Sequence, residues 1–166
     1  MKKAVIIILS VLAILDAAFI YYNSSQTSTV SRKVSKEISS QIVEITDKNF
    51  EQKEYDEKVS SLVKTNIELR KYAHLAEFAS LAFLLCLIGL IAPVKLKSMI
   101  LFMFVAYVSS VVYGFIDELH QLFVDGRTFQ WNDITVDIYG CTIGMILAVL
   151  VYSVYLIIKR NKKGVA

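Results

Sequence analysis

Asp117-Glu118-Leu119-His120-Gln121, followed by Arg127, Asp133 and Asp137, packs acids, a histidine and a guanidinium between two long apolar runs. Ionisable groups so near hydrocarbon are costly, and where they persist they face a protein interior or a water-filled cavity. His74 and Glu77 add a second pair at i,i+3 spacing on one helix face, with Arg70 and Lys71 just before them. Asp117, His120 and Gln121 share one helical face, and Asp133, Asp137, Gly140 and Gly144 form another stripe. Gly140-x-x-x-Gly144 would let a neighbouring helix approach closely beneath the two carboxylates. The expected ligand-binding cluster is therefore Lys71, His74, Glu77, Asp117, Glu118, His120, Gln121, Arg127, Asp133 and Asp137, with Gly140 and Gly144 as packing residues.

Several chemistries fit such a set. Glu118 could serve as a general base with His74 or His120 as proton carrier. His74, Glu77, Glu118 and His120 supply nitrogen and oxygen donors that would suit zinc or manganese, although histidines in polar clusters more often hydrogen-bond to carboxylates. No cofactor is expected beyond that alternative. Six acids (Asp16, Glu77, Asp117, Glu118, Asp133, Asp137) face three firm cations (Arg70, Lys71, Arg127) and two histidines, a balance that disfavours a simple anion pocket. Arg127 has two expected uses, an ion pair with Asp133 or Asp137, or bidentate contact with a ligand. Gly-rich phosphate loops, nucleophile elbows and His-Glu-x-x-His are absent from the sequence. Nothing points to nucleic acid as a partner.

The elements that must position these groups are membrane helices. Of 166 residues, 55% are hydrophobic and one is proline, the composition of an integral membrane protein. Four apolar runs, 4–22, 72–92, 98–116 and 134–158, each reach or approach the length that crosses a bilayer. The expected fold is an all-α four-helix transmembrane bundle forming one domain over 1–166. Lys2, Lys3, Lys95, Lys97, Lys159, Arg160, Lys162 and Lys163 lie in short segments that carry no acid, so the positive-inside rule places both termini in the cytoplasm. The 23–71 segment, with nine Lys/Arg and eight Asp/Glu, is expected outside with the 117–132 loop, which gathers the polar cluster at the outer ends of the spans.

Lys2-Lys3 and the following apolar run also fit a signal peptide. Asp16 in Asp16-Ala17-Ala18 is a poor cleavage site, so the first span is expected to be retained. Within 23–71, Val34, Ile38, Ile42 and Ile45 recur at helical spacing, as do Val59, Leu62, Val63 and Ile67. Two amphipathic helices are expected, separated near Thr46-Asp47 as an N-cap, forming a solvated cap or a surface for lipid or a partner. Cys86 and Cys141 sit in apolar spans and read as buried hydrophobes.

As a set, Asp117-Glu118-x-x-Gln121-x-Phe123-x-x-Gly126-Arg127, Asp133, Gly140 and Gly144 resemble the VanZ-like family of small bacterial membrane proteins. Arg70-Lys71-x-x-His74-x-x-Glu77-Phe78 resembles that family's second block, and Asn23-Ser24-Ser25-Gln26 with Ser31 and Ser35 resembles the stretch after its first span. Asp137 departs from the family's common Asn. The family takes its name from a protein associated with teicoplanin resistance. The resemblance implies a multi-pass protein of the bacterial cytoplasmic membrane but supplies no mechanism; the preferred reading of the cluster is a cell-envelope protein that reduces access of lipopeptide or lipoglycopeptide antibiotics to their target. On this reading it binds a membrane lipid or lipid-linked cell-wall component in the outer cluster, and the sequence leaves catalysis there an open question. An intramembrane headgroup enzyme and a small carrier are the alternatives.

Overall fold

The computed structural model describes residues 2–164. Five α-helices follow one another: α1 (Lys2–Ser24), α2 (Ser28–Thr46), α3 (Tyr55–Ile91), α4 (Leu96–Gln121) and α5 (Trp131–Gly164), with a single 3-10 turn at Phe50–Gln52. Among the described residues there is no strand. α1, α3, α4 and α5 are each long and apolar enough to cross a membrane. This is an all-helical, multi-pass membrane architecture.

α3 is the axis of the molecule. Its 37 residues make a rod of about 55 Å, against roughly 30 Å of bilayer hydrocarbon, so its N-terminal part stands clear of the lipid. The helix runs unbroken because no Gly or Pro interrupts Phe50 to Cys86. Pro93 ends it. The residue before a proline is forced out of the helical region, and Ala92 is extended at φ −50°, ψ 138°.

All four other helices lean on α3, most extensively α5. The reason lies in small residues. A Cβ placed on Gly140 would sit 2.5 Å from the Leu75 carbonyl oxygen, and one on Gly144 would collide with the Ala79 carbonyl. The expected Gly140-x-x-x-Gly144 stripe is thus where α5 meets the α3 backbone. Gly89 does the same for α4, a Cβ there lying 3.1 Å from the Met103 amide. Phe78, Leu81, Ala82, Ile20 and Cys141 fill one core cluster, and Cys86, Leu87, Leu90 and Ala148 the other. Outward, Ile7, Ile14 and Leu15 of α1, Ile100, Leu101 and Phe104 of α4, and Leu150 and Val154 of α5 are exposed. Apolar surface this extensive on long helices belongs against lipid.

The segment between the first two spans departs from expectation in two ways. Asp47 does not cap a following helix; it ends α2, its N–H bonding to Val43 O, and α3 begins at Tyr55 after Glu54. The Asp47 carboxylate instead closes the turn, accepting the Asn49 N–H at 3.3 Å and pairing with Lys53. Secondly, α2 folds back along α3 through its serines. Ser35, Ser39 and Val43 are the buried seam, and Asn66 Nδ2 donates to Ser35 Oγ at 3.0 Å. Val30, Val34 and Ile38 are left exposed. The amphipathic stripe of α2 is not its packing face, because hydroxyls that bond back to their own carbonyls, as Ser39 does to Ser35 O at 2.6 Å, permit a closer helix approach than branched side chains do.

Candidate functional site

The polar residues singled out from the sequence do assemble at one end of the bundle, but in two compartments. The first lies inside α3, α4 and α5. α4 turns Ser110, Gly114, Asp117, Glu118 and Gln121 inward, a face set by spacings of three and four residues. Gly114 leaves room beside Asp137 of α5, a Cβ there meeting Asp137 Oδ2 at 3.3 Å. Asp137 and Glu118 are 2% and 1% exposed. Glu118 Oε1 accepts the Gln130 N–H at 2.7 Å, anchoring the start of α5. Its Oε2, and both Asp137 carboxylate oxygens, have no hydrogen-bond partner. His74 Nδ1 stands 3.3 Å from Asp137 Oδ1, close enough for attraction but not aligned as a hydrogen bond.

The second compartment is a cleft between the end of α1, the first turns of α2 and the middle of α3. It encloses about 630 Å³, within the range of small-molecule sites. Phe19, Ile20, Val30, Val34 and Ile38 supply its apolar wall, while Arg70, His74, Glu77, Asp117 and Arg127 supply its charge. α1 and α2 both pack on α3 but hardly on each other, so the cleft is the gap they leave. His74, facing it from α3, connects the two compartments.

A hydrogen-bonded clasp holds the cleft's rim. Arg127 donates through Nε to Gln26 O (3.1 Å), through Nη2 to Asn23 O (3.2 Å) and through Nη1 to Gln121 Oε1 (3.1 Å). Gln121 in turn donates to Asp117 Oδ2 at 3.2 Å, and Asn23 Nδ2 to Glu77 Oε1 at 2.6 Å. Gly126, at φ +72°, takes the left-handed turn that aims Arg127 back at α1; a Cβ there would strike the Ser28 hydroxyl. Ser28 N–H donates to Asp125 O at 3.1 Å. Burial, then the neighbouring Arg70 guanidinium, pull the Arg127 pKa below its usual value, opposed by Asp117, Glu118 and Asp133.

Several expectations are corrected by this geometry. The ion pair of Arg127 with Asp133 or Asp137 does not form; its guanidinium is spent on carbonyls of the α1–α2 link and on Gln121. Asp133, at the start of α5, is half-buried and lies outside the cleft lining. His120 turns its ring toward α1 rather than into the interior with Asp117 and Gln121, stacked on Tyr21 with ring centroids 4.8 Å apart and 3.2 Å from Ser25 Oγ. The quartet His74, Glu77, Glu118 and His120 is consequently not assembled for a metal. Among the described residues, no group of three or more His, Cys, Asp or Glu converges in that way. Lys71 is exposed and off the cleft, whereas Arg70 lines it. Spacing could have said so, since residues 70, 74 and 77 share a helical face and 71 is about 100° away.

The family model for VanZ/LLP1 matches residues 5–152. The chain belongs to the VanZ/LLP1 family. The matched region runs from the first span into the last and contains both compartments, so the site residues of this VanZ/LLP1 protein all lie within the family domain. No curated protein and no solved structure matches the chain. Asn23 and the Asp16–Ser80 pair (2.8 Å) are polar partners that sequence reasoning did not place, because each joins residues more than fifty positions apart.

Proposed function

We propose that this VanZ/LLP1 protein acts in the bacterial cytoplasmic membrane with both termini inside. There it lowers susceptibility to teicoplanin-type lipoglycopeptides by binding a lipid-linked envelope component at its polar end. The observation that carries this reading is the cleft: an apolar wall on α1 and α2 running into a charged floor on α3, α4 and the 122–130 loop. That is the shape an amphiphile needs, with a dry side for its chain and polar groups that fix its head. The positive-inside distribution of the eight short-segment lysines and arginines supports an outward orientation of that end, on the side where such antibiotics arrive.

A drug-susceptibility assay paired with quantified folded protein tests this. Glu77→Gln and Asp117→Asn, both in the cleft lining, should abolish protection at near-normal protein levels, with Ile100→Val on the lipid-facing side of α4 as a mild control. Full protection by both would remove the polar end from the mechanism. A second reading, an acid–base enzyme acting on a headgroup, draws on His74, which faces the cleft and lies 3.3 Å from Asp137. Conversion of a bound lipid to a product of different mass would favour it.

A further inference from the structure

Two cations, Arg70 and Arg127, line the cleft without a contact ion pair among the described residues. They are near enough for Arg70 to act on Arg127 electrostatically. Arg127 spends three of its five N–H groups on the clasp, which leaves two. Among the described residues Arg70 forms no side-chain hydrogen bond, and it is half-buried. Ser24 belongs to the same lining, is only 5% exposed, and has a buried hydroxyl with no hydrogen-bond partner among the described residues.

Half-buried like charges with unspent donors are unfavourable unless an anion joins them. Among the described residues no carboxylate reaches either guanidinium as an ion-pair partner. Glu118 and Asp137 are sealed in the interior compartment, Glu77 is engaged by Asn23, and Asp117 by Gln121. Counting all six acids against the cations, as the sequence invites, merges groups that the fold separates. On the cleft's other side Val30, Val34 and Ile38 present an apolar strip one turn apart that α3 does not cover.

We infer that the cleft holds a phosphate-bearing lipid, with its phosphate between Arg70, Arg127 and Ser24 and its hydrocarbon chain along Val30, Val34 and Ile38. This rests on the reading of the cleft as an amphiphile site and names the head chemistry it selects. Guanidinium groups fork onto phosphate oxygens, and the hydroxyl adds a third donor to a tetrahedral anion. Glu77 and Asp117 at the floor are acceptors suited to hydroxyls on the far ester of the headgroup.

Full-length protein in a phosphate-free maltoside micelle, titrated with phosphatidylglycerol and followed by native mass spectrometry, reads this directly. One lipid should bind per chain. Diacylglycerol of the same chain length, which lacks the phosphate, and glycerol phosphate, which lacks the chains, should each bind at least about tenfold more weakly. Arg70→Gln should weaken the lipid by about tenfold or more. Lys64→Gln, the same loss of charge on an exposed turn of α3, should stay within about twofold. Val34→Asn, on an exposed face that α3 does not need, should weaken the lipid but leave glycerol phosphate unchanged. Equal losses for Arg70→Gln and Lys64→Gln would show general charge attraction and overturn the inference. Equal binding of diacylglycerol would overturn the phosphate, and equal binding of glycerol phosphate would overturn the lipid. If the lipid binds as described while Arg70→Gln still protects cells from the antibiotic, the site stands and the resistance reading falls.

Discussion

The interior compartment and the cleft are built from neighbouring residues by opposite means. Around Asp137 and Glu118 the helices close, because Gly114, Gly140 and Gly144 have no side chains to hold them apart. The carboxylates end 2% and 1% exposed, with oxygens that no donor reaches. Around Arg70 and Arg127 the helices diverge, and the apolar strip of α2 that could have sealed the gap is turned into it. One region is dry, acidic and shut; the other is open, carries unspent donors and borders hydrocarbon. The contrast shows that a polar cluster in a membrane bundle is not one site merely because its residues share a height in the bilayer. His74 and Asp117 are common to both, and any influence of one on the other must pass through them.

The largest effect that would break this separation is expected at Arg127. Three charge-assisted hydrogen bonds tie it to α1, the α1–α2 link and α4. Such bonds are individually strong but non-additive and discounted by partial exposure, so Arg127→Gln should cost on the order of 3 kcal/mol in detergent melts. Its partners can be told apart by double-mutant cycles. Arg127 with Gln121→Ala should show a coupling of about 0.5–3 kcal/mol, while Arg127 with Asp133→Asn should add to within about 0.5 kcal/mol. A strong coupling to Asp133 would place Arg127 in the interior with the acids and dissolve the distinction between compartments.

A smaller effect is expected in the interior. Asp137 has no donor for either oxygen, and an unmatched buried carboxylate is costly. Asp137→Asn keeps the shape and removes the charge. The replacement should leave stability unchanged or raise it by about 1 kcal/mol, and lipid binding in the cleft should persist. A loss beyond about 1 kcal/mol would instead show that the Asp137 charge is held by a protonated His74, making the compartment a paired site.

How far the sequence could foresee this depends on which interaction decides each element. Hydropathy places the four spans and Pro93 marks the turn, because insertion energetics and proline sterics are local properties. Gly140 and Gly144 were legible as a contact, and α3 supplies the backbone they meet. Side-chain periodicity found the amphipathic stripe of α2 through Val34 and Ile38 but not its seam with α3, which the serines form. It also left Arg70 behind in favour of Lys71. The partners of Arg127 were out of reach for a different reason: two of the three are backbone carbonyls, which every residue carries and no pattern names. The division of the acids between compartments likewise follows from where α1 and α2 part, a tertiary fact.

The smallest expected effect concerns the elbow that carries the α2 wall of the cleft. Lys53 pairs with Asp47 across the turn before α3. That hydrogen bond, with the lysine's charge and the Asn49 N–H, holds the Asp47 carboxyl below the usual value against a weaker opposing effect of burial. A carboxyl depressed in the folded state contributes stability that is present above its unfolded value, near 4, and is lost as pH falls through the lower folded value. At neutral pH the pair is therefore intact, and it should loosen only in acid. Because the pair is solvent-exposed, the change should be confined to the turn: the Asp47 carboxyl resonance should titrate below a model peptide's, and Lys53→Ala should return it to the ordinary range. Raising the salt towards 1 M, where screening acts over about 3 Å, should do part of the same. Neither should alter lipid retention at pH 7, since α2 is fastened to α3 by the Ser35–Asn66 contact and to the clasp by Ser28. If Lys53→Ala released the lipid at neutral pH, the cleft's wall would depend on its elbow, and the open compartment would have to be described as a hinged one.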